Sequence, residues 1–239
     1  MTNPVAYSRT DLVSTITMDD GKVNVFSIPM LQELHRAFDR AEQDGTVVVL
    51  QGRPGCFSAG FDLKTLGGPP QGALALLRSG ASLAGRVLAF PAPVVVACTG
   101  HAFPAGAFLL MAADVRLGAD GAFRLGLNEV RIGLTLPWFA IVLARHRLTH
   151  ATVTGEMFDP QTAREAGLLD AVVPAAELSD RAQSAARDLS SIDRSAHAAT
   201  KRRVRKIVLG ELQRAVEGEL ADPASAAQEG TGHPTPSDP

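Results

Sequence analysis

The chain has 239 residues, which is the size of one large domain or of one domain with a small appendage. Its 23 Lys and Arg residues nearly balance its 25 Asp and Glu residues, so the formal net charge is -2. A protein that binds nucleic acid or an anionic membrane usually carries a basic excess, so we expect neither partner. The hydrophobic fraction of 46% suffices for a sizeable core and excludes general disorder.

The cysteines and the longest apolar stretches exclude further classes of protein. Only two cysteines occur, Cys56 and Cys98, which excludes a disulfide scaffold and a four-cysteine zinc module. Residues 1–16 contain no basic stretch that leads into an apolar run, so we expect no secretion signal. Gly, Pro or a charged residue interrupts the longest apolar stretches before they reach the length of a membrane span. We therefore expect a soluble, cytoplasmic protein without membrane insertion.

Strand and helix patterns alternate along the first two thirds of the chain. Leu12–Met18 alternates apolar and polar residues, as an edge or half-buried strand does. Apolar runs at Val47–Leu50 and Val94–Cys98 are typical of strands covered on both faces, and Val115–Leu117 is a third short candidate. Helical spacing predicts four helices: Pro29–Ala41, Gly72–Phe90, Ala105–Ala113 and Trp138–Arg147. This alternation implies right-handed crossovers and a largely parallel, buried sheet, so we expect an α/β fold.

The last third of the sequence has a different character. From about Thr149 onward the pattern is mainly helical, and three helices are predicted: Pro160–Ala166, Ala175–Leu189 and Ala196–Leu220. We expect a core over residues 1–195 and a C-terminal helical segment over residues 196–221. Residues 222–239 contain four of the 15 prolines together with Ser, Thr, Gly and Ala, which predicts a disordered tail.

Two segments place small residues and a helix start shortly after a buried strand. The strand at Val47–Leu50 leads through a loop into Phe57–Asp62, and the strand at Val94–Cys98 leads into Pro104–Gly106. Small side chains let the backbone approach a ligand, and the free N–H groups of a helix start favour a negative oxygen. Two such donors on one carbonyl oxygen would stabilise an enolate or a tetrahedral oxyanion. Ordinary strand–helix turns have the same pattern, so both interpretations stay open on pattern alone.

Five stretches of the chain resemble motifs of the enoyl-CoA hydratase/isomerase family, also called the crotonase family, and they occur in the same order along the chain as in the family. Phe57–Leu63 is similar to the family's first oxyanion-hole motif, and Gly100–Gly106, continuing to Asp114, is similar to its second. The other three stretches are Gly21–Val25, Asn128–Gly133 and Thr154–Leu169. The resemblance covers residues 5–210.

The resemblance implies a crotonase-like spiral of ββα units with a C-terminal helical lobe, assembled as a homotrimer or as a dimer of trimers. It implies an acyl-CoA thioester of fatty acid metabolism as the substrate, with coenzyme A as part of that substrate and no metal or redox cofactor. The two N–H groups that hold the thioester oxygen fall at Phe61 and Ala105, although the Cβ of Ala105 restricts a positive φ there. Coenzyme A is expected along six residues: Lys22, Val23, Val25, Ala59, Asp62 and Leu63. Asp62 is also suited to cap the helix that follows.

This chain departs from the hydratase pattern, in which two glutamates manage the added water and its proton. Glu129 corresponds to the second glutamate, but Phe108 stands at the position of the first, and a phenyl ring neither transfers a proton nor binds water. Trp138 stands where hydratases carry small residues. We therefore expect the rings of Phe108 and Trp138 to face a reshaped acyl pocket. Burial of Glu129 among apolar walls is expected to raise the pKa of its carboxyl, which suits proton transfer near neutral pH.

Three functions follow from these residues. The first is an enoyl-CoA lyase or isomerase with Glu129 as the single acid/base group; a double-bond shift needs one carboxylate, whereas hydration would also need it to orient water. The second is a catalytically weak or silent acyl-CoA-binding protein, because Phe108 replaces half of the acid/base pair. The third is a hydrolase or decarboxylase, for which His101 and Asp114 are the spare polar groups, although both fit structural roles better.

The basic run at Lys201–Lys206 and the two cysteines have ordinary interpretations. The run could contact the phosphates of coenzyme A, but a charge run has little specificity, and we favour a solvated helix face. Cys56 and Cys98 lie beside the two loops and are interpreted as small packing residues rather than as nucleophiles.

Overall fold

The computed structural model describes residues 3–144 and 148–220. The strands are β1 (Val5–Thr10), β2 (Val13–Met18), β3 (Val25–Phe26), β4 (Val47–Gln51), β5 (Gly55–Ser58), β6 (Gly60–Phe61), β7 (Val94–Cys98), β8 (Gly100–Ala102), β9 (Val115–Ala119), β10 (Leu125–Gly126), β11 (Met157–Phe158) and β12 (Ala171–Val173). The helices are α1 (Ile28–Asp44), α2 (Leu63–Leu66), α3 (Pro70–Ala89), α4 (Pro104–Ala112), α5 (Trp138–Ala144), α6 (Thr149–Thr154), α7 (Pro160–Glu165), α8 (Leu178–Ser190), α9 (Arg194–Val204) and α10 (Lys206–Gly218). Short 3-10 turns occur at Val130–Ile132 and Ala175–Glu177.

Two sheets and one strand pair organise the molecule. The larger sheet has the order β1-β2-β4-β7-β9-β12, and the smaller sheet has the order β11-β10-β8-β5. In the larger sheet β1 and β2 are antiparallel, and the remaining neighbours are parallel. The expected α/β fold with a largely parallel sheet is therefore confirmed.

Short ββα units connect the two sheets. The chain leaves β4 and β7 in the larger sheet and continues into β5 and β8 in the smaller one, and the helices α3 and α4 follow. A side chain at Gly100 would clash with the carbonyl group of Gly55, so this parallel pair of β5 and β8 needs glycine. These units are the ones that the resemblance implies.

Both faces of the larger sheet are covered. Helix α8 packs on one face, where Leu178, Ala182 and Ala186 meet Val49 and Val95. The other face carries the main core, to which α1, α3 and α4 contribute buried apolar side chains. Burial on both faces explains why β4 and β7 read as unbroken apolar runs. Among the described helices, none combines the length and apolar character that a bilayer span requires.

Some predicted elements differ from the structure. The strand predicted at Leu12–Met18 as an edge or half-buried strand is β2, which is half-buried and not an edge strand, since β1 forms the edge of the sheet. The single helix predicted at Ala196–Leu220 is wrong, because the chain breaks at Arg205, whose φ and ψ are -95° and 5°. The guanidinium of Arg205 turns inward there and donates to two backbone carbonyls. Residues 145–147 of the helix predicted from Trp138, and the tail predicted at 222–239, lie outside the described residues.

Candidate active site

The amide of Phe61 points away from β3, the strand that pairs with β6. The next amide, that of Asp62, donates to the carbonyl of Phe26 in β3 over 3.2 Å. Successive N–H groups of an extended strand point to opposite sides, so the N–H of Phe61 faces the side on which β6 has no strand neighbour among the described residues. Ladder geometry therefore leaves this donor available.

The amide of Ala105 lies in the first turn of α4. Pro104 occupies the first helical position, as predicted, and the side chain of Phe103 makes no capping hydrogen bond. The amide of Ala107 donates to the carbonyl of Phe103, so the amide of Ala105 precedes the first i to i-4 bond and lacks an acceptor within the helix. Ala105 has helical geometry, and no positive φ is required of it.

Gly60 brings these two backbone segments together. Its φ is 94°, which favours glycine, and an idealised Cβ on it would lie 3.8 Å from the amide nitrogen of Ala105 and 3.7 Å from that of Pro104. Strand β6 therefore lies directly against the start of α4. The two amides that the sequence singled out therefore belong to backbone segments that lie next to each other.

Gly60, Phe61 and Pro104 line a cavity of about 440 Å³, a typical size for a small-molecule site, whereas Ala105 directly follows Pro104 and does not line it. Most of its lining is apolar, and Asn128, Glu129, Thr135 and Glu219 supply polar side chains. The other lining residues are Ala59, Gly60, Phe61, Leu63, Leu66, Gly68, Pro70, Ala73, Leu74, Leu77, Phe103, Pro104, Phe108, Ile132, Leu134, Leu136, Pro137 and Leu220.

Glu129 supplies the one buried carboxylate of this cavity among the described residues. It precedes the 3-10 turn Val130–Ile132 and is 7% exposed. Its Oε2 is buried and has no hydrogen-bond partner among the described residues. Burial raises the pKa of this carboxyl to about 7, and a hydrogen bond with its own backbone partly opposes that shift. The raised pKa expected from the sequence is thus confirmed.

Phe108 forms an aromatic wall beside the amides. It lies one helical turn after Ala105 in α4 and is 3% exposed. Its ring centroid is 6.3 Å from that of Phe61 and 5.4 Å from that of Phe139. Since Phe61 and Phe108 both line the cavity, the bulky apolar pocket expected from the sequence is present on this side.

The residues predicted to contact coenzyme A fall into two groups. Ala59 and Leu63 line the cavity, whereas Lys22, Val23, Val25 and Asp62 do not. The carbonyl of Val23 accepts a hydrogen bond from the amide of Ala59 over 2.9 Å, so the loop with Lys22 and Val25 lies next to the cavity wall.

The loop before β3 owes its shape to Asp20 and Asn24. The carboxylate of Asp20 accepts hydrogen bonds from the amides of Lys22, Asn24 and Val25. Asn24 is fully buried with a φ of 52°, and its side chain donates to the carbonyl of Phe57. No role was predicted for Asn24; the sequence signal for one is the tolerance of Asn for positive φ.

The capping role predicted for Asp62 is confirmed. Its carboxylate accepts hydrogen bonds from the amide of Lys64 over 3.2 Å and from the hydroxyl of Thr65 over 2.6 Å. Both donors belong to α2, the short helix that follows. The Asp62 side chain is therefore occupied within its own turn.

The expectation that Trp138 faces the acyl pocket is contradicted. Trp138 is 50% exposed and does not line the cavity. It starts α5, and its amide donates to the carboxylate of Glu219 over 2.6 Å. The segment 134–137 forms that wall instead, together with Glu219 and Leu220. The last two contributions had no local sequence signal, since they come from the far end of the described chain.

The structural roles predicted for His101 and Asp114 are confirmed. His101 Nδ1 accepts a hydrogen bond from the amide of Arg124 over 3.0 Å, and its ring packs against Phe123. The Asp114 carboxylate lies 2.6 Å from Lys201 Nζ and 3.0 Å from Arg205 Nη2. The prediction of a solvated basic face is therefore wrong for Lys201 and Arg205, which turn toward the protein.

The cysteines match their predicted packing role. Cys98 is buried, its thiol donates to the carbonyl of Gly100, and burial raises its pKa to about 12. The thiol of Cys56 donates to the carbonyl of Val23, and burial raises its pKa also. Both groups are thiols rather than nucleophilic thiolates at neutral pH.

Comparison with known proteins identifies the family. A model described as enoyl-CoA hydratase/isomerase matches residues 8–229. A solved structure of an enoyl-CoA hydratase/isomerase family protein from Pseudomonas syringae has a TM-score of 0.89 at 42% identity, over 91% of this chain and 97% of the other. An enoyl-CoA isomerase from Mycobacterium tuberculosis has a TM-score of 0.88 at 41% identity, over 92% and 99%. The chain belongs to the enoyl-CoA hydratase/isomerase family and has the crotonase fold.

A curated sequence relative matches over a shorter stretch. The Bacillus subtilis protein named "Probable enoyl-CoA hydratase" is 33% identical over 143 residues, which are 58% of this chain. The chain spans about half the length of that relative, at 54%. The names of the relatives divide between hydratase and isomerase, so the activity has to be argued from the site.

Proposed function

We propose that the protein is an enoyl-CoA isomerase that shifts a double bond along the acyl chain of a coenzyme A thioester. Glu129 is its single acid/base group, and the amides of Phe61 and Ala105 form its oxyanion hole. The observation that carries the proposal is the buried Oε2 of Glu129, which has no partner among the described residues and belongs to a cavity whose lining is mostly apolar and includes Phe108.

The reaction starts from a 3-enoyl thioester whose carbonyl oxygen accepts hydrogen bonds from the two amides. The Glu129 carboxylate removes a proton from C2, and the electron pair of that C–H bond delocalises into a dienolate with its negative charge on the held oxygen. The same carboxyl group, now protonated, delivers the proton to C4. The double bond then lies between C2 and C3, and Glu129 is a carboxylate again.

The pKa of Glu129 suits both halves of this cycle. A general acid/base group works best when its pKa lies near the operating pH, and burial raises that of Glu129 to about 7. Phe108 occupies the place where hydration would require a second proton-transferring group, and it keeps that side of the cavity apolar. A double-bond shift needs no water, so it fits this wall better than hydration does.

Coenzyme A enters as part of the substrate, and this chemistry requires no metal or redox cofactor. We place its chain along Ala59 and Leu63 in the cavity wall, with Lys22, Val23, Val25 and Asp62 at the adjoining surface. We also propose the homotrimer or dimer of trimers that the family resemblance implies. Exposed apolar residues near the site supply a surface that association would cover: Val130, Ile132, Leu134, Trp138 and Val153.

The variant Glu129→Gln tests the proposal. With 3-enoyl thioesters of several lengths, we expect turnover to fall by about a hundredfold or more, because the amide cannot accept the C2 proton. The dissociation constant of a saturated acyl-CoA is expected to change little. Glu177→Gln is the matched control, since Glu177 is an exposed surface residue that pairs with Arg181. Turnover that survives in Glu129→Gln would contradict the assignment of this residue.

A silent acyl-CoA-binding protein is the second candidate, and the presence of Phe108 in place of an acid/base group favours it. The same measurements separate the two. Tight binding of acyl-CoA without turnover of 2-enoyl, 3-enoyl or 3-hydroxyacyl thioesters by the unmodified protein would support the binding protein. Isomerisation of a 3-enoyl thioester that depends on Glu129 would eliminate it.

A further inference from the structure

The end of the described chain forms part of the cavity that holds Glu129. Leu220 is 1% exposed and lines the cavity together with Glu219, directly after α10. Helix α10 packs on α3 and α5, with Leu212 and Ala215 buried on its inner side. The C-terminal residues therefore belong to the site rather than to a peripheral appendage.

Two hydrogen bonds join this segment to two separate parts of the cavity wall. Arg78 Nε donates to the carbonyl of Leu220 over 2.6 Å, and Arg78 lies on α3 directly after Leu77, which lines the cavity. On the other side the amide of Trp138 donates to Glu219 Oε2 over 2.6 Å, and Trp138 directly follows the lining segment 134–137. The segment is thus fixed to both parts of the wall.

The proposed function predicts where the acyl chain of the substrate lies in the cavity. If the thioester carbonyl is held at Phe61 and Ala105, the acyl chain must continue past Glu129 along the remaining apolar wall. Leu74, Leu77, Leu136 and Leu220 are the leucines of that apolar lining on which the proposal rests. An acyl chain that fills it gains about fourfold in affinity for each buried methylene, and a longer chain has to displace packed side chains.

We propose that Leu220 is a specificity-determining residue that limits the length of the acyl chain, and that Arg78 and Glu219 are the residues that position it. The proposal rests on the proposed function for the location of the thioester. The C-terminal segment would then select substrates by the length of their acyl chain, which the acid/base and oxyanion groups do not do.

The test measures kcat/KM for straight-chain 3-enoyl thioesters that differ in steps of two carbons. Leu220→Ala is expected to raise the ratio of kcat/KM for long over short thioesters by about tenfold, and Leu220→Phe to lower it by a similar factor. The matched control is Leu212→Ala, a buried leucine of α10 that does not line the cavity. This control is expected to lower the melting temperature and to keep the ratio of the unmodified protein.

The positioning residues have a separate readout. Glu219→Ala removes the acceptor of the Trp138 amide and is expected to broaden the chain-length profile toward longer thioesters. Glu219→Gln keeps an acceptor oxygen and is expected to restore the original profile, which a general loss of stability would not do. A ratio in Leu220→Ala equal to that in Leu212→Ala, with both variants folded by circular dichroism, would overturn the proposal.

Failure of this inference and failure of the proposed function give different results. If the unmodified protein shows no Glu129-dependent turnover, the proposed function fails. Dissociation constants of the same series of thioesters then still report whether Leu220 sets the length limit. If turnover depends on Glu129 but the chain-length dependence of kcat/KM is the same in the Leu220 variants, only the proposed length limit is wrong.

Discussion

Glu129 and Phe108 face a common cavity and define what chemistry it can perform. One is a carboxyl group whose pKa burial raises to about 7, and the other is a buried phenyl ring that can neither accept nor donate a proton. A buried carboxylate oxygen such as Oε2 of Glu129, which has no hydrogen-bond partner among the described residues, is costly to the fold, and this is typical of a group retained for its reactivity. The pair therefore favours a proton shuttle between carbon atoms over the activation of water.

The pH dependence of isomerisation follows from the pKa of Glu129. The proposed first step needs the carboxylate, so kcat/KM is expected to rise with pH and to reach half of its maximum near pH 7. The measurement is a pH–rate profile over the range in which circular dichroism shows a folded protein. A half-maximum near pH 4.5, the ordinary value for glutamate, would contradict the effect of burial.

Phe108→Glu tests the role of the ring. A second carboxyl group at this position could hold water, so we expect the rate of hydration of a 2-enoyl thioester to rise relative to the rate of isomerisation. The measurement compares both rates in the same preparation, and Phe108→Leu serves as an apolar control. A folded Phe108→Glu variant whose hydration rate equals that of the control would contradict the assignment of this position.

At the scale of elements, two short backbone segments, β6 and the first turn of α4, carry the amides of the proposed oxyanion hole. Strand β6 has two residues, and its pairing with β3 turns the amide of Phe61 outward. Helix α4 begins beside it, and Gly60 allows the two segments to approach. The geometry of the proposed oxyanion hole therefore depends on backbone, which the buried hydroxyl of Ser58 supports by accepting a hydrogen bond from the amide of Gly60.

The docking of α9 offers a prediction about stability. Asp114 pairs with Lys201 and Arg205, and Lys201 is 6% exposed. Asp114→Asn would leave two cations at a buried position, so we expect a loss of about 3 kcal/mol in the free energy of unfolding. Lys201→Met in the same chain is expected to recover part of it. Denaturant unfolding measures both, and a loss below about 0.5 kcal/mol, as for an exposed pair, would contradict this account.

Periodicity predicted the long elements well and the short ones poorly. The helices α1 and α3 and the strands β4 and β7 carry strong apolar patterns, and each was predicted within a few residues. Two-residue strands such as β3 and β6 have no period of their own, because only their tertiary neighbours define them. The break at Arg205 was missed for the same reason, since its cause is a set of carbonyls far away in sequence.

At the scale of the whole molecule, the ββα units place the ends of β4 and β7 next to each other. The loops that follow these strands therefore meet at one cavity, although about forty residues separate them in sequence. The assignment of Phe61, Ala105 and Glu129 as site residues came from the family resemblance, because composition and spacing alone left it undecided. It could not locate Glu219 and Leu220, because their place in the wall depends on how α10 packs.

The most direct test is the infrared spectrum of a saturated acyl-CoA that carries carbon-13 at its thioester carbonyl and is bound to the unmodified protein. Hydrogen bonds from two backbone amides polarise that carbonyl, so its stretching frequency is expected to fall below the value in water. A frequency equal to the value in water, or higher as in an apolar solvent, would show that the amides of Phe61 and Ala105 do not hold the thioester.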